Sequence, residues 1–75
     1  MQTLKDLPIG ARAKVIQVHG SGTVTKRLME MGIVPGVLLR VIKSAPFGDP
    51  LEIRIRGYNL AMRCSEAEFI EVAGE

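Results

Sequence analysis

Between Arg27 and Gly36 the chain reads Arg-Leu-Met-Glu-Met-Gly-Ile-Val-Pro-Gly, a run that stops a helix, reverses the backbone and launches a strand. The Thr23 side chain can accept the first free N–H groups of a helix, and Gly32 stands where a left-handed residue closes one. The helix between them is about two turns long. Val34 to Val37 fit a type II turn, because Pro35 fixes φ at the second position and Gly36 takes positive φ at the third. A strand has to follow, and the remaining segments read as strands arranged around this unit.

Leu4 and Leu7 form a small apolar face before Pro8 and Gly10 redirect the backbone, so residues 1–10 are a lead-in that caps a barrel end. From Ala11 to His19 the apolar phase runs through Ala11, Ala13 and Val15, then shifts to Ile16 and Val18, as an inserted bulge residue would make it. Gly20, Ser21 and Gly22 form a connector. On the helix, Val24, Leu28 and Met31 share a face flanked by Arg27, while Met29 points the other way. Val37 to Ile42 is apolar on both faces, which predicts a central strand. Ser44 to Pro50 is a turn cluster. Leu51, Ile53 and Ile55 alternate with Glu52, Arg54 and Arg56, the pattern of a half-buried strand. Gly57, Tyr58 and Asn59 are expected to make a three-residue hairpin turn, followed by a strand from Leu60 to Cys64 with Leu60 and Met62 inward. Ser65 is expected to cap a turn bearing Glu66, Ala67 and Glu68. Phe69 to Val72 form the last strand, with Phe69 in the core. Five short strands and one short helix between the first two predict an all-β fold, a small and partly open antiparallel barrel, with residues 1–75 as one domain.

A domain of 75 residues buries only about 60% of its unfolded surface, so an open edge gains from cover by a second copy or a partner. A single cysteine excludes an internal disulfide, and the first residues lack the order of a signal peptide, which predicts a reducing, cytoplasmic setting. The longest uncharged apolar run, Met31 to Leu39, contains Pro35 and two glycines and falls far short of the ~20 residues of a membrane span. All ten Lys and Arg precede Ser65, so residues 1–65 carry +6 against an end bearing Glu66, Glu68, Glu71 and Glu75. Such a surface suits an acidic protein, a nucleic acid or an anionic membrane face, and equally a set of solvated strand faces.

The residues that carry catalysis elsewhere are scattered here. Gly20-Ser21-Gly22 precedes a helix, but position 25 is Thr and the downstream acid of a dinucleotide site is missing; no Walker A sequence occurs. His19 and Cys64 each stand alone, without metal-ligand spacing, and a lone strand-end cysteine reads as a small buried hydrophobe. Glu30, Asp49 and Glu66 are hard oxygen ligands that nothing in the sequence brings together. No catalytic, cofactor-binding or metal-binding residue is assigned. The alternative function is a nucleic-acid-binding barrel built on Arg40, Lys43, Arg54 and Arg56 beside Tyr58, although only Phe47, Tyr58 and Phe69 could stack on bases.

The order of motifs is itself informative: Leu4, Leu7 and Gly10; Lys26-Arg27-Leu28; Met31-Gly32-Ile33; Pro35-Gly36; Ala45-Pro46-Phe47-Gly48-Asp49-Pro50; then Leu60-Ala61-Met62-Arg63 with Glu66-Ala67. This succession closely resembles the FeoA family. Lys26, where the family often has Arg, and Met62, where it often has Leu, are mild departures. The resemblance covers nearly the whole chain and implies an SH3-like barrel, related in fold to the C-terminal domain of DtxR-type iron-dependent regulators. It also implies a non-enzymatic cytoplasmic accessory protein of bacterial ferrous iron uptake. Such a protein docks on the cytoplasmic side of FeoB, the membrane GTPase and permease, and is recruited through it to the inner membrane face. Modulating nucleotide hydrolysis, scaffolding assembly and sensing iron, with or without transition metal binding, are modes the resemblance allows.

For that docking the sequence offers Lys26, Met29 and Glu30 on the outer helix face, Pro46, Phe47 and Asp49 in the loop, and Tyr58 on the hairpin. Phe47 reads either as an anchor on a proline-stiffened loop or as a lid folded back on the barrel. Arg27 and Arg63 read either as contacts or as internal braces. No nucleic acid partner is expected on this reading, and a homo-oligomer is a further candidate. The two functions differ in salt response, since phosphate-backbone binding weakens steeply with salt and apolar docking does not.

Overall fold

The computed structural model describes residues 1–20 and 22–74; Ser21 of the connector and Glu75 of the acidic end lie outside them. The helix α1, Thr23–Glu30, forms where the sequence places it, but Thr23 is its first helical residue and Gly22 is the cap. At φ 96° and ψ −158°, Gly22 occupies a region open essentially to glycine alone, which displaces the expected threonine cap. Thr25 instead donates its hydroxyl to the His19 carbonyl at 3.0 Å, tying the helix back to the strand before it. The other end matches the reading. Gly32, at φ 101°, donates its N–H to the Met29 carbonyl, and Ile33 donates to the Leu28 carbonyl, both at 3.0 Å. This pair of bonds satisfies two carbonyls that a helix end leaves open, and Leu28 and Ile33, which make it, are both wholly buried. Val37 then closes the Val34–Val37 turn on the Val34 carbonyl at 3.2 Å, with Gly36 at φ 95°.

Five strands follow this frame: β1 Arg12–Val18, β2 Leu38–Ser44, β3 Leu51–Ile55, β4 Tyr58–Met62 and β5 Ile70–Gly74. They form one antiparallel sheet in the order β4-β3-β2-β1-β5, so β2 is central as expected, but only its Leu39 and Val41 face is buried, and Leu38 and Arg40 on the other face are exposed. This is the SH3-like barrel expected from the sequence, with β4 and β5 as its outer strands, β5 partly covered by the lead-in through a bridge of Thr3 to Glu71 and the Val72 N–H donating to the Gln2 carbonyl at 2.9 Å. The predicted bulge lies in β1 between Val15 and Gln17. Its extra residue, Ile16, faces solvent instead of the core, and the inward phase resumes only at Val18. A second register shift lies between Val41 and Lys43.

Three expected details differ. The β3–β4 hairpin closes in two residues, with Ile55 opposite Tyr58. Arg56 at φ 46° and Gly57 at φ 88° make the mirror-image turn that matches strand twist. Tyr58 and Asn59 therefore belong to β4. The one-turn helix α2, Cys64–Ala67, is capped at Arg63 and not Ser65: the Arg63 N–H donates to Glu66 Oε1 at 3.0 Å, satisfying one of the helix's free donors. Phe69 is 40% exposed and lies over Gly20, outside the core assigned to it.

The core joins Leu4, Val15, Leu28, Ile33, Val41, Ile53, Ile55 and Ile70, drawing on the lead-in turn, the helix, the turn after it and four strands. The lead-in is a 3-10 turn, Leu4–Asp6, closed by Asp6 accepting from the Thr3 N–H at 3.0 Å. Lys5 bridges from this turn to Glu68 at 2.7 Å, and that carboxylate raises the Lys5 pKa. The contact is therefore present below the ordinary lysine range and fades as pH climbs through the raised value.

Candidate partner-docking surface

Helix α1 is packed on the barrel by Leu28, which leaves its two flanks facing two depressions. On one flank, Val24, Arg27 and Met31 face Pro50, Ala61, Met62, Arg63 and Glu66 across a cleft of about 510 Å³. On the other, Gly22, Thr25, Lys26, Met29, Glu30 and Val34 line a shallower groove of about 490 Å³. Both depressions are lined by apolar side chains together with charged ones, the composition of a surface that binds another protein's side chains.

The cleft is built around a brace. Glu66 is only 7% exposed, and its Oε2 pairs with the Arg27 guanidinium while its Oε1 accepts from Arg63 N–H. One carboxylate thus ties α1 to α2 across the mouth between them. Of the two readings left open for Arg27, the structure gives the internal brace. Arg27→Ala would leave a buried carboxylate short of its cationic partner, and about 1–2 kcal/mol of stability is expected to be lost. Urea denaturation at neutral pH checks this.

The seven residues expected to meet a partner separate into groups. Lys26, Met29 and Glu30 come together along the outer groove, and Met29 is 45% exposed. Phe47 stands free at the tip of the loop, 98% exposed, so it is not folded back on the barrel. Pro46 lines a neighbouring depression with Lys43, Pro50 and Glu52. Asp49 and Tyr58 are engaged internally. The Asp49 Oδ1 accepts the Cys64 N–H at 2.9 Å, and Cys64 Sγ donates to the Gly48 carbonyl at 2.8 Å, which pins the loop to the start of α2. The Tyr58 hydroxyl donates to the Met31 carbonyl and fastens the β3–β4 hairpin to the helix end.

The apolar lining of the cleft, Val24, Met31, Ala61 and Met62, was not singled out from the sequence. Val24, on the helix face it shares with Leu28 and Met31, is 37% exposed because it borders this opening. The signal available was the pairing of Arg27 with a later acid, which would have marked a mouth between α1 and the chain's end. His19 and Cys64 do not meet: His19 bonds to Glu71 at 2.7 Å, and Cys64 to the loop. Among the described residues no three His, Cys, Asp or Glu side chains gather into a metal-binding group. Nor is any helix long and apolar enough to cross a membrane.

The family model of the FeoA domain matches residues 2–74. An Fe(2+) transport protein A/Fe(2+) transporter FeoB fusion protein of Porphyromonas gingivalis is 41% identical over 69 residues, covering 92% of this chain but only 8% of the fusion protein. The FeoA protein of Chlorobium tepidum is 44% identical, with a TM-score of 0.87 over 95% of this chain and 68% of that one. A Stenotrophomonas maltophilia FeoA solved with zinc, described as a prokaryotic SH3 domain protein, is 32% identical, with a TM-score of 0.85 over 97% and 91%. A manganese-dependent transcriptional repressor shares the fold alone, at 18% identity and a TM-score of 0.90, over 36% of its length. A family match running almost from end to end, with relatives above 40% identity on the same barrel, decides the classification: the chain belongs to the FeoA family.

Proposed function

We propose that this protein is a non-enzymatic accessory module of ferrous iron uptake that docks on the cytoplasmic side of the FeoB transporter. The observation that carries the reading is the Porphyromonas gingivalis fusion, in which a stretch similar to this chain shares one polypeptide with the transporter. Segments joined in one chain are held at high local concentration, an arrangement that favours parts working side by side. The Stenotrophomonas relative is described as a candidate ferrous iron transport activating factor.

The docking surface on this reading is Phe47 with the outer groove of α1. An aromatic ring held 98% exposed on a loop stiffened by prolines and pinned through Asp49 loses little entropy on burial. Met29, flanked by Lys26 and Glu30, supplies an adaptable second contact. Capture of the cytoplasmic part of FeoB on the immobilised protein tests the proposal. Wild-type protein is expected to retain it across a wide salt range, with Phe47→Ala and Met29→Ala retaining less. No capture by folded wild-type protein would overturn the reading.

A further inference from the structure

We propose that the outer face of β1, β2 and β3, built on Arg12, Arg40, Arg54 and Leu38, is a docking face for an anionic lipid membrane. Arg12 lies directly opposite Arg40, and Arg40 directly opposite Arg54, so three guanidinium-bearing positions cross three strands in one row. Directly opposed residues stand about 5 Å apart at Cβ, where like charges destabilise a sheet. Lys14 and Leu38 form the next rung of β1 and β2. Arg12, Leu38, Arg40, Arg54 and Arg56 line one shallow groove of about 260 Å³.

Among the described residues no ion pair neutralises this row. The ion pairs among the described residues are Lys5–Glu68, His19–Glu71 and Arg27–Glu66, all elsewhere. Among the described residues Arg54 donates to Asn59 Oδ1 at 3.2 Å and to the Gly57 carbonyl at 3.5 Å, neither of them charged. Glu52, two residues before Arg54 on the same strand, sits opposite Lys43 and accepts from Asn59 Nδ2 at 3.0 Å. Among the described residues the row thus stands uncompensated, and an external anion would complement it.

The character of the face selects which anion. Leu38 is 51% exposed among the arginines, and an apolar side chain ringed by cations is the combination that binds a charged lipid interface. No aromatic ring joins the row among the described residues: Tyr58 is paired with the inward Ile55 and bonds to the helix, so a base-stacking platform is missing. The row also lies toward the Arg56–Gly57 end of β3, whereas Phe47 lies beyond its opposite end. One face can thus meet a membrane while the loop meets a protein. The choice of a membrane rests in part on the proposed setting beside a transporter.

Flotation of the purified protein with vesicles tests this without any transporter, so its failure is distinct from failure of FeoB docking. Partition into vesicles of phosphatidylcholine mixed with phosphatidylglycerol is expected, falling as salt rises, with none into phosphatidylcholine alone. Arg40→Gln and Arg54→Gln should each reduce partition about five-fold, and Lys26→Gln, away from the face, less than about two-fold. Because Arg40 is opposed by an arginine on both sides, Arg40→Gln should also raise the melting temperature by about 2–5 °C while it weakens binding. A merely structural arginine would lower both. Equal partition into neutral vesicles, equal loss in Lys26→Gln, or displacement from mixed vesicles by a lower concentration of duplex DNA than of free phosphatidylglycerol headgroup would each overturn the proposal.

Discussion

Gly32→Ala is expected to lower stability by about 2–3 kcal/mol. Gly32 sits at φ 101°, where a Cβ is sterically opposed, and that Cβ would lie 2.7 Å from the Tyr58 hydroxyl oxygen and 3.4 Å from Ile55 Cδ1. The first effect strains the backbone by about 1–2 kcal/mol. The second forces Tyr58 off the Met31 carbonyl, which detaches the hairpin from the helix end and removes about 1 kcal/mol more. For a domain this small the melting temperature should fall by more than about 10 °C. The partition between the two causes is measurable. In a Tyr58→Phe background the clash is relieved and the bond already absent, so Gly32→Ala should cost about 1 kcal/mol less than in wild type. A melting temperature within two or so degrees of wild type would show that the helix end tolerates a side chain, and the closing role assigned to Gly32 would fail.

Phe47→Ala is expected to have the opposite profile. The ring is 98% exposed and supports nothing in the core, so stability should stay within about 0.5 kcal/mol of wild type. Affinity for the cytoplasmic part of FeoB should instead fall by about 2 kcal/mol or more, roughly thirty-fold, the scale of an aromatic anchor at the centre of an interface. Phe47→Tyr keeps the ring and should retain most of the binding. Titration calorimetry and a thermal melt on the same samples separate the two effects. A variant that binds as wild type does would remove Phe47 from the docking surface, whatever the fate of the groove on α1.

Much of this architecture was legible because the decisive residues act locally. Gly32, Pro35 and Gly36 specify a helix end and a turn through their own φ preferences. The alternation from Leu51 to Ile55 needs no knowledge of what covers it. The errors cluster where a local preference met a competing one. Thr23 is a good cap, but the preceding glycine adopted a conformation closed to other residues and took the position first. Arg-Gly is a weak signal for a two-residue hairpin beside Asn-Gly, because it places a non-glycine residue at positive φ. Ser65 lost its capping role to Glu66 because a carboxylate three residues into the helix reaches back to the free N–H.

The candidate surface was legible only in part, and for a physical reason. Exposure of Met29 follows from the helical period, which places it opposite Leu28's neighbours on the packed face. The separate fates of Phe47, Asp49 and Tyr58 depend on contacts between segments far apart in sequence, such as Asp49 with Cys64 and Tyr58 with Met31. The row of arginines was visible as alternating charges, but only the register of β1, β2 and β3 shows that they oppose one another.

If the rigid barrel presents its loop tip and outer helix groove to a membrane transporter, backbone amide shifts on adding the cytoplasmic part of FeoB will be concentrated at residues 45–49 and at Lys26, Met29 and Glu30, with the amides of Ile53 and Ile55 in the buried strand unmoved. Changes confined to the opposite edge of the sheet, or none at concentrations that saturate the transporter fragment, would contradict that docking.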